Sequence, residues 1–144
     1  MKQKTTVLKE NEEKQRWYLI DASGVSLGRL SARVASILRG KNLTNFTPHA
    51  NPHNHVIVIN ALSVKVTQKK LESKRVYWHT GYPGGLRSSS YRDILDKSPV
   101  KFVERVIKGM LPKNSLGRDL RRNLKIYAGD KHDHSAQKPI LVNL

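Results

Sequence analysis

Apolar positions in this chain gather into short runs separated by stretches rich in glycine, proline, serine and basic residues. Residues 17–21 (WYLID) predict a strand, and the SGVS that follows predicts a turn. The spacing then becomes helical. At about 100° per residue, Leu27, Leu30, Val34, Ile37 and Leu38 share one face, while Arg29 and Arg33 lie on the other. Ser26 stands at the N-cap position and Gly40 at the C-terminal stop.

KNLTNFTPHANPHN reads as a loop, and HVIVINA after it is apolar on both alternating faces, the pattern of a central strand in a parallel sheet. VKV (64–66) and RVYW (75–78) predict further short strands, with TQKKLESK between them as a basic loop. HTGYPGGLRSSS is too rich in Gly, Pro and Ser to predict regular structure. YRDILDK begins a helical section, and Ser98 followed by Pro99 starts a second helix. There Val100, Val103, Val106, Ile107 and Met110 form one face, with Lys101, Arg105 and Lys108 on or near the other, and Pro112 ends it. A last helix, from near Ser115, places Leu116, Leu120 and Leu124 within an arc of roughly 80°. Arg118, Arg121, Arg122 and Lys125 then fill an arc of roughly 100° on the opposite side.

Charge changes the picture. With 27 Lys and Arg against 11 Asp and Glu in 144 residues, the formal charge is +16, far more than solubility requires. Such a field seeks a polyanion, and nucleic acid is the leading candidate. An anionic membrane fits less well, because no helix combines a large apolar face with interfacial Trp or Phe. There is no transmembrane run of about 18 apolar residues and no secretory pattern, so the chain is expected to stay in the compartment that makes it. The absence of cysteine excludes disulfides, thiolate metal sites and Cys nucleophiles. Residues 101–131 hold nine of the cations and only three acidic residues. Like charges three and four apart on a helix repel, and a phosphate bound by arginine would relieve that cost.

Six histidines occur at positions 49, 53, 55, 79, 132 and 134, and the two H-x-H pairs invite a zinc reading. It is the weaker one. His53 and His55 straddle the start of a strand with no acidic residue close to them in sequence, and imidazoles in a cationic chain suit RNA better. No metal or cofactor is expected. In HTGYPGGL the glycines serve either a close backbone approach to a partner or a loop that needs positive φ, and Tyr82 offers a stacking face. Catalysis finds little support: Gly24 and Gly28 match neither phosphate-binding pattern, and Asp21, without a second carboxylate or nucleophile nearby, is expected to brace the SGVS turn.

DASGVSLGRLSARVASILRGK, FTPH, VIVINA, HTGYPGGL, GMLPKNSLGR, LKIYAG and HDHSAQKP, in this order, resemble the large-subunit ribosomal protein L-thirteen family in its bacterial or organellar form. The resemblance covers the chain from about Trp17 onward; Gln68 departs from it, standing where the family commonly has glycine. It implies a three-layer α/β/α single domain (17–144) around a mainly parallel four-stranded sheet with extended loops. The N-terminal arm (1–16) carries no strong family motif; its polar, mixed-sign sequence predicts a flexible arm or an edge segment. The resemblance also implies binding to large-subunit rRNA early in subunit assembly, without catalysis. The expected partners are that rRNA and neighbouring large-subunit proteins, with no membrane and no small-molecule substrate, on a cytoplasmic or organellar ribosome. The family's motifs fall on Gly109 to Asn114, Leu116 to Arg118, His79 to Gly85, and His132, His134, Ala136 and Gln137. Together with the charge pattern they give a candidate RNA-binding set. Its first part is Arg29, Arg33, Lys41, His49, Lys69 and Lys70. Its loop part is His79, Tyr82, Gly84, Gly85 and Arg87. Its C-terminal part is Lys108, Lys113, Asn114, Arg118, Arg121, Arg122, Lys125, His132 and His134. A free-standing RNA-binding regulator is the alternative the same charge would serve.

Overall fold

The computed structural model describes residues 15–143. Of the expected N-terminal arm, residues 1–14 lie outside the described residues, and Arg16 already opens the first strand. The chain runs β1 (Arg16–Asp21), α1 (Leu27–Leu38), β2 (Asn54–Ile59), α2 (Gln68–Ser73), β3 (Arg75–His79), β4 (Leu86–Ser90) and α3 (Tyr91–Lys97). It continues through α4 (Pro99–Met110), α5 (Ser115–Arg122), β5 (Leu124–Ile126) and β6 (Ile140–Leu141). The expected α/β architecture is present. Four strands pair in the order β5-β2-β1-β6, every pair parallel, and β3 and β4 form a separate antiparallel hairpin.

The centre of this sheet follows from its sequence. Val56, Ile57 and Val58 are all fully buried, because a central strand is covered on both faces. Tyr18, Ile20, Val56 and Val58 join the main core with Leu27, Leu30, Val34 and Leu38 of α1 and Phe102, Val103 and Ile107 of α4. Arg29 and Arg33 stay exposed on the far side of α1, as the periodicity predicts. Ser26 makes no side-chain cap, so α1 starts on backbone bonding alone, with the Leu30 N–H donating to the Ser26 carbonyl. Gly40 ends it at φ +75°: its N–H donates to the Ile37 carbonyl while the Lys41 N–H reaches Ser36, a pair of bonds that requires a left-handed residue. Asn54, buried at the start of β2, donates its Nδ2 to the Ile37 carbonyl at 2.8 Å and ties the strand to that helix end.

Four sequence expectations are corrected. VKV is not a strand; only Lys65 bridges, pairing with Ser26, and buried Val64 anchors the segment. TQKKLESK is the short helix α2, opened by Gln68 and too short for periodicity to reveal. Thr67 sits at its N-cap position in extended conformation, and the helix packs on α3 and β4. The LRSSS end of the Gly- and Ser-rich segment is β4, because pairing with β3 from Arg75 to His79 overrides the weak strand preference of serine. The last helix stops at Arg122, and Leu124 and Lys125 belong to β5, where they pair with Val56 and Ile57. A three-residue strand directly after a helix is invisible to helical projection.

Candidate nucleic-acid interface

Helices α4 and α5 and the strand after them enclose an open cavity of about 660 Å³. Its walls include Glu104, Lys108, Lys113, Asn114, Arg118, Arg121, Arg122 and Lys125 over an apolar floor of Leu111, Pro112 and Leu124. The local sequence builds it. Pro112 forces the chain out of α4, and Asn114 restarts it by accepting the Gly117 N–H on its Oδ1 at 2.8 Å. Leu120 and Leu111 bury themselves in the core, which turns the arginines of α5 outward. Asn114, expected against RNA, therefore has its side-chain oxygen engaged as a helix cap.

The six cations of the cavity are not equivalent. Arg121 donates to Glu104 at 2.9 Å, a bond between α5 and α4, and Arg122 donates to Asp119 at 3.2 Å. Among the described residues Lys108, Lys113, Arg118 and Lys125 have no acidic partner. Glu104 is one of three acids in the basic segment, and its pairing with Arg121 carries no sequence signal until the helices pack.

The other candidates lie outside this cavity. Arg29 and Arg33 stand on α1, Lys41 and His49 on the loop after it, and Lys69 and Lys70 on α2, all exposed. His79, Tyr82, Gly84, Gly85 and Arg87 belong to the β3–β4 hairpin. The hairpin's own backbone accounts for its glycines. Gly81 and Gly84 take positive φ, and a Cβ on buried Gly85 would overlap Thr80 Oγ1. Of the two readings open for this loop, the geometry supports positive φ.

His79 accepts the Gly81 N–H on Nδ1 at 2.9 Å, and His132 accepts the His134 N–H on Nδ1 at 3.2 Å. In each ring Nδ1 is engaged and Nε2 is the nitrogen left to meet a partner. His134 and His55 are engaged internally. Trp17 stacks on His55 with ring centres 4.3 Å apart, and His134 tilts over the same indole at 5.1 Å. Burial, and then the nearby charges of His53, Lys125 and His134, hold the His55 pKa below its usual value. Among the described residues no group of three or more His, Asp or Glu is arranged to hold a metal, and no helix is long and apolar enough to cross a membrane.

Asp21 does brace its turn. Its Oδ1 accepts from Asn60 Nδ2 at 3.0 Å and from the Ser23 N–H and hydroxyl at 2.9 and 2.8 Å, bonds that hold its pKa below the usual carboxylate value. Beyond the carboxyl ends of β2 and β5 the two chain segments stay joined by backbone bonds. The N–H groups of Asn60, Ala61 and Leu62 donate to the carbonyls of Gly129, Tyr127 and Ala128.

Fold and cavity together define a small, strongly basic α/β protein with six of its cations around a cavity beside the sheet-edge strand β5. Residues 15–133 match the family model described as Ribosomal protein L13, and the chain belongs to that family. It is 53% identical over 132 residues to the large ribosomal subunit protein uL13 of Thermobifida fusca, covering 92% of this chain and 89% of the relative. It is 51% identical over 141 residues to the uL13 of Ruminiclostridium cellulolyticum, covering 98% of each chain.

Proposed function

We propose that this chain is a structural component of the large ribosomal subunit, binding large-subunit rRNA and supporting early assembly of the particle, on a bacterial cytoplasmic ribosome like those of its relatives. The observation that carries the reading is the α4–α5 cavity, where among the described residues six Lys and Arg and a single carboxylate form the lining. Arg121 and Arg122, each oriented by an ion pair, and Arg118 on the same helix offer a site for phosphate oxygens, which arginine binds bidentately. Arg29, Arg33, Lys41, Lys69 and Lys70 extend the cationic surface, and the hairpin residues and His132 add donors and a stacking face. The role is architectural, as befits a member of a ribosomal protein family. Residues 17–144 act as one RNA-binding domain.

Filter binding of the full chain to transcribed large-subunit rRNA tests this across a salt series. Replacing Arg118, Arg121 and Arg122 together by Gln should weaken binding and flatten the dependence of log K on log salt by about 0.7–0.9 per lost phosphate contact. Unchanged affinity and slope, with an unchanged circular dichroism spectrum, would refute the cavity as the site. Migration of the chain at the top of a sucrose gradient, away from the large subunit, would refute the ribosomal role and favour a free RNA-binding regulator.

A further inference from the structure

The β3–β4 hairpin displays aromatic side chains on both of its faces. Strand alternation and the pairing register place Arg75, Tyr77 and His79 on one face, opposite Ser90, Ser88 and Leu86. The other face carries Val76 and Trp78, opposite Ser89 and Arg87. The root is fixed: the Tyr91 N–H donates to the Lys74 carbonyl, and Ser90 and Asp93 cap α3 reciprocally. The outer half is bare. Tyr77 is 61% exposed, Trp78 47%, Tyr82 75% and Leu86 63%. Cross-strand neighbours usually cover an aromatic ring, but Tyr77 stands opposite Ser88, and Trp78, opposite Arg87, has only Gly85 and Ser89 on its diagonals.

We propose that this hairpin is a two-faced stacking blade, with Tyr77 on one side and Trp78 on the other each receiving an unpaired nucleobase of RNA. The proposal rests on the rRNA-binding reading above and adds two contacts and a ligand class to it. Charge selects the occupant. Residues 73–92 contain Lys74, Arg75, Arg87 and Arg92 and no acidic residue, and each face pairs its exposed ring with an arginine of its own. A polyanion with flat, unpaired bases matches both properties. A protein docking on one face would leave the other ring in water, whereas two RNA segments flanking the blade cover both. Stacking is tolerant of base identity, so the blade reads unpaired structure rather than sequence.

The test uses the full chain and transcribed large-subunit rRNA. Y77A/W78A should bind roughly tenfold or more weakly, since each stacked base contributes at least a severalfold effect, while the salt slope stays at the wild-type value. Y77F/W78F, which keeps both rings, should stay within about twofold of wild type. In a Trp17→Phe background Trp78 is the remaining tryptophan, and its fluorescence should be quenched as the rRNA is added. Wild-type affinity for Y77A/W78A, or no quenching of Trp78 at saturation, overturns the blade while leaving the rRNA reading intact. Loss of Y77A/W78A from the large subunit with undiminished rRNA affinity overturns it in favour of a protein contact. Failure of the wild-type chain to bind rRNA would sink both readings, and is distinguished by the missing wild-type signal.

Discussion

Gly117 in α5 backs directly onto the carbonyl of Pro112, so that a Cβ at position 117 would overlap that oxygen. The two residues lock the turn between α4 and α5, and with it the spacing of Lys113 and Arg118 across the cavity. The glycine of the LGR motif is thus required by close approach of backbone to backbone, while Arg118 beside it points to solvent. Gly117→Ala should destabilise the fold by about 1–3 kcal/mol, because neither backbone segment can yield without disturbing the buried Leu111 and Leu120. Urea denaturation of the variant checks this. A midpoint equal to wild type would mean that the turn relaxes freely.

On the proposed reading, Glu104 competes with rRNA phosphate for Arg121. Glu104→Gln removes the only carboxylate that lines the cavity among the described residues and frees a guanidinium already positioned by α5. Affinity for rRNA at low salt should rise severalfold, and the slope of log K against log salt should steepen by up to about 0.9, one further phosphate contact. An affinity that falls instead would show that the ion pair is needed to hold Arg121 in place.

Ser31 lies fully buried in α1 with its hydroxyl unpartnered among the described residues. Such a group loses hydration and gains no bond in return. Ser31→Ala should therefore stabilise the protein by about 0.5–2 kcal/mol, helped by the better helix propensity of alanine. Thermal unfolding reads the change directly, and a lower melting temperature would contradict the prediction.

His55 links stability to pH. Its folded pKa is held below the usual value near 6.5, so the fold favours the neutral ring stacked on Trp17. The contribution is present above about pH 6.5 and is lost as pH falls through the folded pKa. Asp21 and Asp93 also have lowered pKa values, held by hydrogen bonds from Asn60 and Ser23 and from Ser90. Their contributions are present above about pH 3.8 and lost only below it, so they leave the His55 window clear. Between pH 7.5 and 5.5 the urea midpoint of the wild-type chain should drop more than that of His55→Phe, which keeps a ring against Trp17. Equal drops would mean that His55 is not the responsible group.

Much of the fold was legible because the main body of the protein is built on regular periods. The apolar stripe of α1, the unbroken run of β2 and the cap-and-proline start of α4 each state their own environment, since burial of a 3.6- or 2-residue repeat leaves no other arrangement. The charge excess and the family motifs likewise belong to the sequence alone, and they defined the polyanion partner as an expectation. Tertiary structure decided the rest. Leu124 and Lys125 became a strand because β2 offered an unpaired edge, and LRSSS became a strand because β3 stood beside it; partners distant in sequence outweigh local preference. Packing also sorted the cations, pairing Arg121 with Glu104 across 17 residues of chain and leaving Arg118 open. It brought His55 and His134, 79 positions apart by their numbering, onto one tryptophan. Periodicity records what one element buries, whereas the meeting of two elements is fixed only when the chain closes on itself.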